Sequence, residues 1–354
     1  MENFVYNGNP GRVIFGSGTI ARLPEEADRL GVRRILVLST PEQAEQASGI
    51  ARHLGSAIVG IYSKAQMHTP VDVTADAMKA VEQHRADALL SIGGGSTTGL
   101  GKAIAFRTDL PQIVVPTTYA GSEATPILGE TEGGRKVTKS DPRILPEVIV
   151  YDVDLTLTLP VALSVTSGVN AVAHAVEALY AKEANPVISL MAEEGIAAIA
   201  RALPRIHSDP QDKDARADAL YGAWLCGVCL GSVGMALHHK LCHTLGGMFN
   251  LPHAQMHTAV LPHAVAYNYA ATPAAMARLS RALGVADPAS GLFDLAKGLG
   301  ATMSLKELGM PEDGVDAAVE QAMSNAYWNP RALEKDGLTD LLEHAFRGEA
   351  PKRA

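Results

Sequence analysis

The stretch "ADALLSIGGGSTTGLGKAIAF", residues 86–106, joins a short apolar run to an amphipathic one through three consecutive glycines. The run before the glycines has the length of a buried strand, and the run after them has helical spacing. In a parallel α/β sheet, such a turn is where backbone N–H groups and the helix dipole receive a phosphate. The stretch therefore predicts an α/β domain with an anion site at the carboxyl edge of its sheet.

The same alternation extends to both sides of this stretch. From residue 33 to about residue 118, short β-branched apolar runs alternate with longer amphipathic ones, which predicts a parallel sheet with helices on both faces. Near the N-terminus, "GRVIFGSGTIARL" predicts a hairpin or a paired edge strand, followed by the start of a helix. The last strand-like segment is "PEVIVYDVDLTLTLP", residues 146–160.

After Pro160 the chain consists of long segments rich in Ala and Leu with helical spacing. We therefore expect two domains: a dinucleotide-binding α/β domain over residues 1–157 and an all-helical substrate and catalytic domain over residues 158–354. No long linker separates them, so the domains are expected to meet at a cleft that binds ligands.

Composition excludes several function classes. The formal charge of −8 argues against a nucleic-acid or anionic-membrane partner, whereas an anionic small molecule needs only a local cationic pocket. No signal pattern and no uninterrupted apolar run of about 18 residues is present, so a cytoplasmic protein is expected. The three cysteines, Cys226, Cys229 and Cys242, are too few and too clustered for a disulfide framework.

Two loops carry the residues expected to bind a dinucleotide. In the first, Gly94, Gly95 and Ser96 are predicted to cradle phosphate, with Thr97 and Thr98 as hydroxyl donors. The second, "VVPTTYAGSEATP", follows the next strand. Its candidates for the nicotinamide ribose and amide are Thr117, Thr118, Tyr119 and Ser122, and Tyr119 is also a candidate for the substrate.

The first strand supplies the remaining cofactor candidates. Ser39 and Thr40 close that strand and are expected at the adenosine end. No Asp or Glu stands there to repel a 2′-phosphate, so NADH and NADPH remain open. The glycine spacing is not G-x-G-x-x-G, so an ordinary Rossmann fingerprint is absent.

The second half holds a cluster of histidines. Eight of the twelve fall between residues 174 and 263, a density that favours chemistry over packing. In "SGVNAVAHAVEALY", Asn170 and His174 lie four residues apart and hence on one face of a helix. The spacing is that of a metal site, but a neutral amide is a poor ligand for a catalytic divalent ion.

Taken in order, "GGGST", "PTTYAGSE", "TSGVNAVAHAVEAL", "HKLCHTLGG" and "LPHA…VLPH" resemble the successive motifs of the iron-containing (group III) alcohol dehydrogenases, over about residues 10–268. The resemblance implies a dehydroquinate synthase-like α/β domain, a helical domain and an active site in the cleft between them. In that family one Asp and three His hold Fe(II) or Zn(II). The matching positions here are Asn170, His174, His239 and His253, and a further family histidine matches His243.

This chain departs from the metal-dependent pattern. Asn170 replaces the only anionic ligand, Gly99 stands where those members usually have Asp, and Ala254 stands where they have Gly. These variants, together with "TYAGSE" and "TEGG-x-K", resemble a branch that reduces the C=C bond of maleylacetate to give 3-oxoadipate during the degradation of aromatic compounds. That branch uses NADH or NADPH and no metal. Lys136, at the end of the last motif, is a further cofactor-binding candidate.

The implied substrate is a small dicarboxylate whose reduction passes through an enolate. Hydrogen-bond donors stabilise such an intermediate by about 3–4 kcal/mol each. We expect His243 or His253 to protonate or stabilise the enolate, and His174, His239 and Asn170 to orient the substrate oxygens. Lys240 and Arg331 are the candidates for pairing with carboxylates.

Three alternatives remain. The first is a metal-dependent NAD(P) alcohol or polyol dehydrogenase in which Asn170 binds through its amide oxygen. The second is a lyase-type relative with dehydroquinate synthase architecture, although the Lys- and Arg-rich pattern that a phosphate-bearing substrate would want is missing. The third is a silent NADH sensor. The resemblance also implies a homodimer, paired through the "GRVIFG" region.

Overall fold

The computed structural model describes residues 4–6, 8–9, 11–133 and 135–353. They form two compact units. The N-terminal unit covers Asn9–Leu159, and the helical unit covers the described residues from Pro160 onward together with those before Asn9.

The N-terminal unit is built on a six-stranded parallel sheet in the order β1-β8-β5-β4-β2-β3, beside a two-stranded antiparallel hairpin, β6-β7. The strands are β1 Arg12–Gly16, β2 Ile35–Leu38, β3 Ile58–Tyr62, β4 Ala88–Gly93, β5 Gln112–Pro116, β6 Ile127–Glu132, β7 Arg135–Ser140 and β8 Val148–Asp152. The α-helices are α1 Leu23–Leu30, α2 Ala44–Ala51, α3 Val71–His84 and α4 Gly95–Thr108.

Helices cover both faces of the sheet because its strands are apolar on both sides. In β2, Ile35 and Val37 pack with residues of α1 and α2 on one face. The alternate residues, Leu36 and Leu38, pack with residues of α3 and α4 on the other. The predicted doubly wound parallel sheet is confirmed.

The N-terminal strand β1 lies at one edge of the sheet. It pairs in parallel with β8, with Arg12 opposite Val148 and Gly16 opposite Asp152. Of the two predictions for this segment, the paired edge strand is therefore confirmed, and the hairpin is wrong.

The order in which the chain adds strands to the sheet reverses between the neighbouring strands β2 and β4. Strand β2 leads through α2 on one face to β3, whereas β4 leads through α4 on the opposite face to β5 on the other side. In sheets of this kind, ligands bind outside the carboxyl ends of the strands at this reversal. The loops after β2 and β4 border that position.

The helical unit contains no strand among its described residues, as predicted. Its helices are α5 Val161–Tyr180, α6 Pro186–Ser208, α7 Lys213–Gly231, α8 Leu237–Phe249, α9 His253–Asn268, α10 Pro273–Leu283, α11 Pro288–Gly298, α12 Gly314–Ser324 and α13 Lys335–Arg347. Helix α5 is buried along nearly its whole length and packs against α6, α7 and α9. Among the described helices, none combines the length and the apolar character needed to cross a bilayer.

Candidate active site

The turn between β4 and α4 is too closely packed for side chains. Gly93 has φ +150°, and a Cβ there would lie 2.6 Å from Thr97 Oγ1. A Cβ on Gly94 would lie 2.9 Å from Thr118 Cγ2. Glycine at both positions lets the backbone turn directly into α4, as a close approach of pyrophosphate to the main chain requires.

The first turn of α4 offers backbone donors to an anion. Thr97 N and Thr98 N each donate to Gly94 O at 3.1 Å. The N–H groups of Gly95 and Ser96 precede them and have no acceptor within the helix. Gly95 is exposed and Ser96 is half-buried, whereas the side chains of Thr97 and Thr98 are buried. The main chain is therefore what this turn presents to a phosphate.

The second predicted loop lies directly beside the first. Strands β4 and β5 pair so that Gly93 stands opposite Pro116, and Thr117 N donates to Gly93 O at 3.0 Å. The Oγ of Ser122 is buried without a hydrogen-bond partner among the described residues, 3.9 Å from where a Cβ of Gly95 would stand. The loops after β4 and β5 thus lie next to each other, as predicted.

Gln43, which follows β2, was not among the predicted residues. Its Nε2 donates to Thr117 Oγ1 at 2.8 Å, linking the loop after β2 to the loop after β5. Sequence gave no signal for it, because a glutamine in a short helical turn is ordinary.

A buried lysine anchors the second loop. Lys102 Nζ donates to Ser122 O, to Thr125 Oγ1 at 2.9 Å and to Ile127 O at 3.0 Å. Burial lowers the pKa of Lys102 to about 7. Beside it, the buried Glu123 carboxylate accepts a hydrogen bond from the Tyr151 hydroxyl at 2.8 Å, and burial raises the pKa of Glu123. Tyr119, in the same loop, is fully buried.

The remaining cofactor candidates lie elsewhere in this unit. Ser39 is fully buried and its Oγ lies 3.0 Å from Ser63 Oγ, whereas Thr40 is half-buried at the start of a short 3-10 helix. Lys136 belongs to β7, and its side chain crosses Gly129, where a Cβ would lie 2.6 Å from Lys136 Cε. At Gly99, a Cβ would meet Thr69 Oγ1 at 2.4 Å, so an aspartate does not fit unless Thr69 moves.

In the helical unit, the predicted histidines come together from three helices. Asn170 and His174 lie on α5, His239 and His243 on α8, and His253 begins α9. The ring centroids of His174 and His239 are 5.3 Å apart, and those of His239 and His243 are 6.0 Å apart.

The ring of His257 connects His253 to this group. Its centroid lies 4.3 Å from the centroid of His253 and 5.4 Å from the centroid of His239. It is buried and lies one helical turn after His253. The spacing of four residues was its signal in the sequence, but it was not assigned to the site.

His238 and His257 form a second close pair of rings in the cluster, and both are buried. His238 Nε2 and His257 Nδ1 are 3.0 Å apart, at hydrogen-bonding distance. Burial holds the pKa of both rings well below the usual range, so both are neutral near pH 7. With Cys242 they form a group whose possible ligand atoms lie within 4.8 Å of one another. The hydrogen bond between the rings accounts for this arrangement without an ion.

Glu177 is the buried carboxylate in contact with the cluster, and sequence reasoning missed it. Its side chain is fully buried on α5, and Oε2 lies 2.7 Å from His239 Nδ1. It also accepts hydrogen bonds from Ala236 N and His238 N at the start of α8. The sequence signal for Glu177 is its spacing. It lies three residues after His174 and seven after Asn170, so the three side chains share one face of α5.

Tyr327 is a second residue that the sequence did not reveal. Its hydroxyl oxygen lies 3.0 Å from His243 Nδ1, and Lys240 Nζ lies 5.5 Å from the centroid of its ring. Lys240 is 7% exposed and has neither a hydrogen-bond nor an ion-pair partner for its ammonium among the described residues, and burial lowers its pKa. A cation on a mostly buried side chain, with no anion beside it, is suited to a ligand carboxylate.

Arg331 is held by other groups. Its Nη1 donates to Tyr267 O at 3.1 Å, its guanidinium lies 4.2 Å from the Tyr267 ring centroid, and Nη2 is 3.4 Å from Glu334 Oε2. It lines a cavity together with Tyr327, Asn329 and Met323. These contacts account for the residue as a structural cation, and its predicted contact with substrate stays a prediction.

The donor set at the family's metal position fits a divalent ion poorly. Asn170 Oδ1 is buried without a hydrogen-bond partner among the described residues, and the other three positions are imidazoles. Glu177 does not replace the missing carboxylate, because His239 Nδ1 and backbone N–H groups occupy its oxygens. The set lacks the carboxylate that the metal-dependent members of the family have, which weakens its electrostatic attraction for Fe(II) or Zn(II).

Comparison with known proteins places this fold and site in a family. The sequence profile described as iron-containing alcohol dehydrogenase matches residues 10–153, and the profile described as Fe-containing alcohol dehydrogenase family, C-terminal, matches residues 164–346. The chain belongs to the iron-containing alcohol dehydrogenase family.

Within the family, the chain is similar to maleylacetate reductases. It is 57% identical to the maleylacetate reductase of Sphingobium indicum over 98% of this chain and 99% of that protein. The crystal structure of maleylacetate reductase from Agrobacterium tumefaciens superimposes with a TM-score of 0.94 at 55% identity, covering 99% of this chain and 100% of that one. A putative alcohol dehydrogenase from Ralstonia eutropha superimposes with a TM-score of 0.97 at 53% identity, covering 99% and 100%.

Proposed function

We propose that this protein is an NAD(P)H-dependent oxidoreductase that reduces the C=C bond of maleylacetate to give 3-oxoadipate, a step in the degradation of aromatic compounds. The structural observation that carries the proposal is Lys240, a lysine only 7% exposed, whose ammonium has no acidic partner among the described residues and lies beside the histidine cluster. Similarity to maleylacetate reductases over nearly the whole chain supports it.

Maleylacetate suits a site made of hydrogen-bond donors. It is a dicarboxylate whose C2=C3 bond is conjugated with a ketone at C4. A reduced nicotinamide, when bound, would supply a hydride to C2, and the substrate would become an enolate with its negative charge on the C4 oxygen. One oriented donor to such an oxygen is worth about 3–4 kcal/mol in the transition state. The proton that completes the product adds at C3.

The side chains of the helical unit divide these tasks. Lys240 pairs with a substrate carboxylate, and His174, His239 and Asn170 orient the substrate oxygens. His243, held by Tyr327 through Nδ1, presents Nε2 as the proton donor to C3, with His253 as the alternative donor. The two negative charges of the substrate favour positively charged rings and so make donation easier near neutral pH.

The reaction proposed here proceeds without a bound metal. In a metal-dependent carbonyl reduction a Lewis acid stabilises the developing alkoxide, whereas the enolate formed here spreads its charge over oxygen and carbon. The neutral amide of Asn170 at the family's anionic position agrees with this difference, since it can donate a hydrogen bond where the metal-dependent members have a carboxylate ligand.

The N-terminal unit provides the dinucleotide site. We assign the pyrophosphate to the backbone N–H groups at the start of α4 and the nicotinamide end to the loop with Thr117, Thr118 and Ser122. The buried Ser122 Oγ, without a partner among the described residues, is a ready donor or acceptor for that end.

The proposal is tested by assaying purified protein with maleylacetate and NADH or NADPH, before and after chelation, while bound metals are measured. We expect oxidation of the cofactor with formation of 3-oxoadipate, and no loss of rate on chelation. A rate that is lost and then restored by Fe(II) or Zn(II) would overturn the metal-free reaction. Turnover of simple alcohols but not maleylacetate would favour an alcohol dehydrogenase instead.

One variant tests the proton donor directly. H243A removes the ring that Tyr327 holds, and a general acid contributes about 10²- to 10⁴-fold to the rate. We expect kcat to fall within that range while KM for maleylacetate changes much less. An unchanged kcat would remove His243 from the mechanism and leave His253 as the donor.

A further inference from the structure

The side chain of Gln43 spans the carboxyl end of strand β4. The central strands lie in the order β5-β4-β2, so the loop after β2 and the loop after β5 stand on either side of β4. Gln43 ends the short 3-10 helix that follows β2, and its Nε2 donates to Thr117 Oγ1, just after β5, at 2.8 Å. This hydrogen bond, the Gln43–Thr117 bridge, joins loops that are 74 positions apart in the chain.

The strand end beneath the bridge leaves room for it because β4 ends in glycine. A Cβ on Gly93 would lie 2.7 Å from Gln43 Oε1 and 2.6 Å from Thr97 Oγ1. Thr117 is held on two sides, since its N–H donates to Gly93 O at 3.0 Å while its hydroxyl oxygen accepts from Gln43. The bridge therefore fixes the loop after β2 against both β4 and the loop after β5.

We propose that Gln43 is a positioning residue for the dinucleotide, which holds the loop for the adenosine end and the loop for the nicotinamide end at the separation that the cofactor spans. The inference rests on the proposed function, in which these loops bind the two ends of NADH or NADPH. The pyrophosphate joins those ends at a limited distance, so both ends bind at once only when the loops keep the matching separation.

The chemistry of an amide suits this position. The bridge sets the separation of the loops before the cofactor binds, which reduces the entropy that binding would otherwise lose in ordering them. Because the amide is neutral, Gln43 does this without placing a negative charge next to Gly94 and Gly95, at the turn assigned to the pyrophosphate. A glutamate could also bond the Thr117 hydroxyl, but its charge would repel the phosphates.

The Q43M variant removes the bridge and keeps an unbranched side chain of nearly the same length. One neutral hydrogen bond is lost, so the Kd of whichever cofactor the wild type binds more tightly, NADH or NADPH, is expected to rise about 3- to 10-fold. AMP carries only the adenosine end, so its Kd should stay within about twofold of the wild-type value. Calorimetry gives both constants. Q83M changes an exposed glutamine on α3 and is the matched control, with both constants unchanged.

Two results would overturn the proposal. An unchanged Kd for the dinucleotide would leave the bridge without a role in binding. An equal rise for AMP and the dinucleotide would make Gln43 a direct contact of the adenosine end or a general support of the fold. Q43N, whose amide is one carbon too short to reach Thr117, covers the case in which Q43M does not fold, and the same pattern is expected of it.

A double-mutant cycle with T117V shows whether Gln43 acts through Thr117. In the T117V background, Q43M is expected to change the Kd of the dinucleotide less than about twofold, since the partner of the amide is already absent. T117S keeps the hydroxyl and should bind the cofactor as the wild type does. Equal losses from Q43M in both backgrounds would mean that Gln43 acts without Thr117 and would overturn the proposal.

Steady-state kinetics separates positioning from chemistry. The bridge acts on binding of the cofactor, so KM for the cofactor is expected to rise in Q43M while kcat at saturating cofactor is unchanged. A lower kcat with an unchanged KM would contradict the proposal. The Kd measurements need no maleylacetate. A protein that shows the expected Kd pattern but does not reduce maleylacetate would therefore refute the proposed reaction alone, and a working reductase whose Q43M variant binds the cofactor normally would refute the bridge alone.

Discussion

His243 Nδ1 lies 3.0 Å from the hydroxyl oxygen of Tyr327, although the two residues are separated by 84 positions in the chain. The contact joins helix α8 to the segment that follows α12 and fixes the rotation of the imidazole. Lys240, one turn earlier on α8, lies against the same tyrosine ring. Tyr327 thus holds both a candidate proton donor and a candidate carboxylate partner.

Removing the hydroxyl of Tyr327 tests this arrangement. A hydrogen bond of this kind contributes about 0.5–1.5 kcal/mol, so Y327F is expected to lower kcat for maleylacetate about 3- to 10-fold, with KM for NADH unchanged. Steady-state kinetics with either substrate varied gives both values. Y221F is the control, because Tyr221 packs its ring against Trp224. If Y327F keeps the wild-type kcat, the hydrogen bond between Tyr327 and His243 does not contribute to the rate of the reaction.

Lys240 is expected to act in binding rather than in chemistry. The K240M variant keeps an unbranched side chain of nearly the same length but removes its charge. A hydrogen bond to a charged group contributes about 1.5–3 kcal/mol, so KM for maleylacetate should rise about 10- to 100-fold, with kcat less affected. Lys297 has its Nζ 5.2 Å from the centroid of Phe293, so K297M is a matched control in which a similar contact with an aromatic ring is lost. Unchanged KM in K240M would remove the lysine from the substrate site.

The N170D variant tests whether the metal geometry of the family survives. Aspartate is nearly the same size as asparagine and restores an anionic ligand beside three imidazoles. We expect Zn(II) affinity, measured by calorimetry, to rise at least about tenfold, and maleylacetate reduction to fall because two like charges meet. In N170D/H174A the gain should disappear. If N170D binds Zn(II) no better than the wild type, the pocket has lost its ligand geometry as well as its charge.

Most of the α/β unit was predictable because its strands are buried on both faces. The runs "RRILVLST" and "ADALLSIGGGS" are apolar without alternation, and both form central strands. The β6–β7 hairpin was not predicted, since "ILGETE" and "RKVTKS" carry charges and lack a continuous apolar run. The connection between α7 and α8 reads "SVGMA", residues 232–236, and carries no charged residue that would mark a surface loop.

The limits of the site prediction have a different cause. Spacing along one helix reveals partners such as Asn170 and His174, which share a face. Glu177 meets His239 across 62 positions, and Tyr327 meets His243 across 84. The spacing on α5 groups Glu177 with His174 and Asn170, but no local pattern marks its contact with His239 or the contact between Tyr327 and His243. Only the packing of α5, α8 and the segment after α12 brings these groups together.

The buried histidines make stability depend on pH. His263 is buried on α9, and its Nε2 has no hydrogen-bond partner among the described residues. Burial is the main cause that lowers its pKa from the ordinary 6.5 to about 4, and the charge of His344 adds to it. The unfolded chain therefore takes up a proton at this position below pH 6.5, whereas the folded protein does so only near pH 4.

The contribution of His263 to stability is thus present above pH 6.5 and is lost as the pH falls towards 4. Between pH 7 and pH 5 the loss from this residue amounts to roughly 2 kcal/mol. In H263Q, which cannot titrate, the free energy of unfolding in urea should fall by about that much less over the same interval. H53Q, at an exposed position, is the control and should follow the wild type. If H263Q and the wild type lose equal stability on acidification, His263 is not held neutral by burial. The pH dependence then belongs to His238 and His257, whose pKa values burial also lowers.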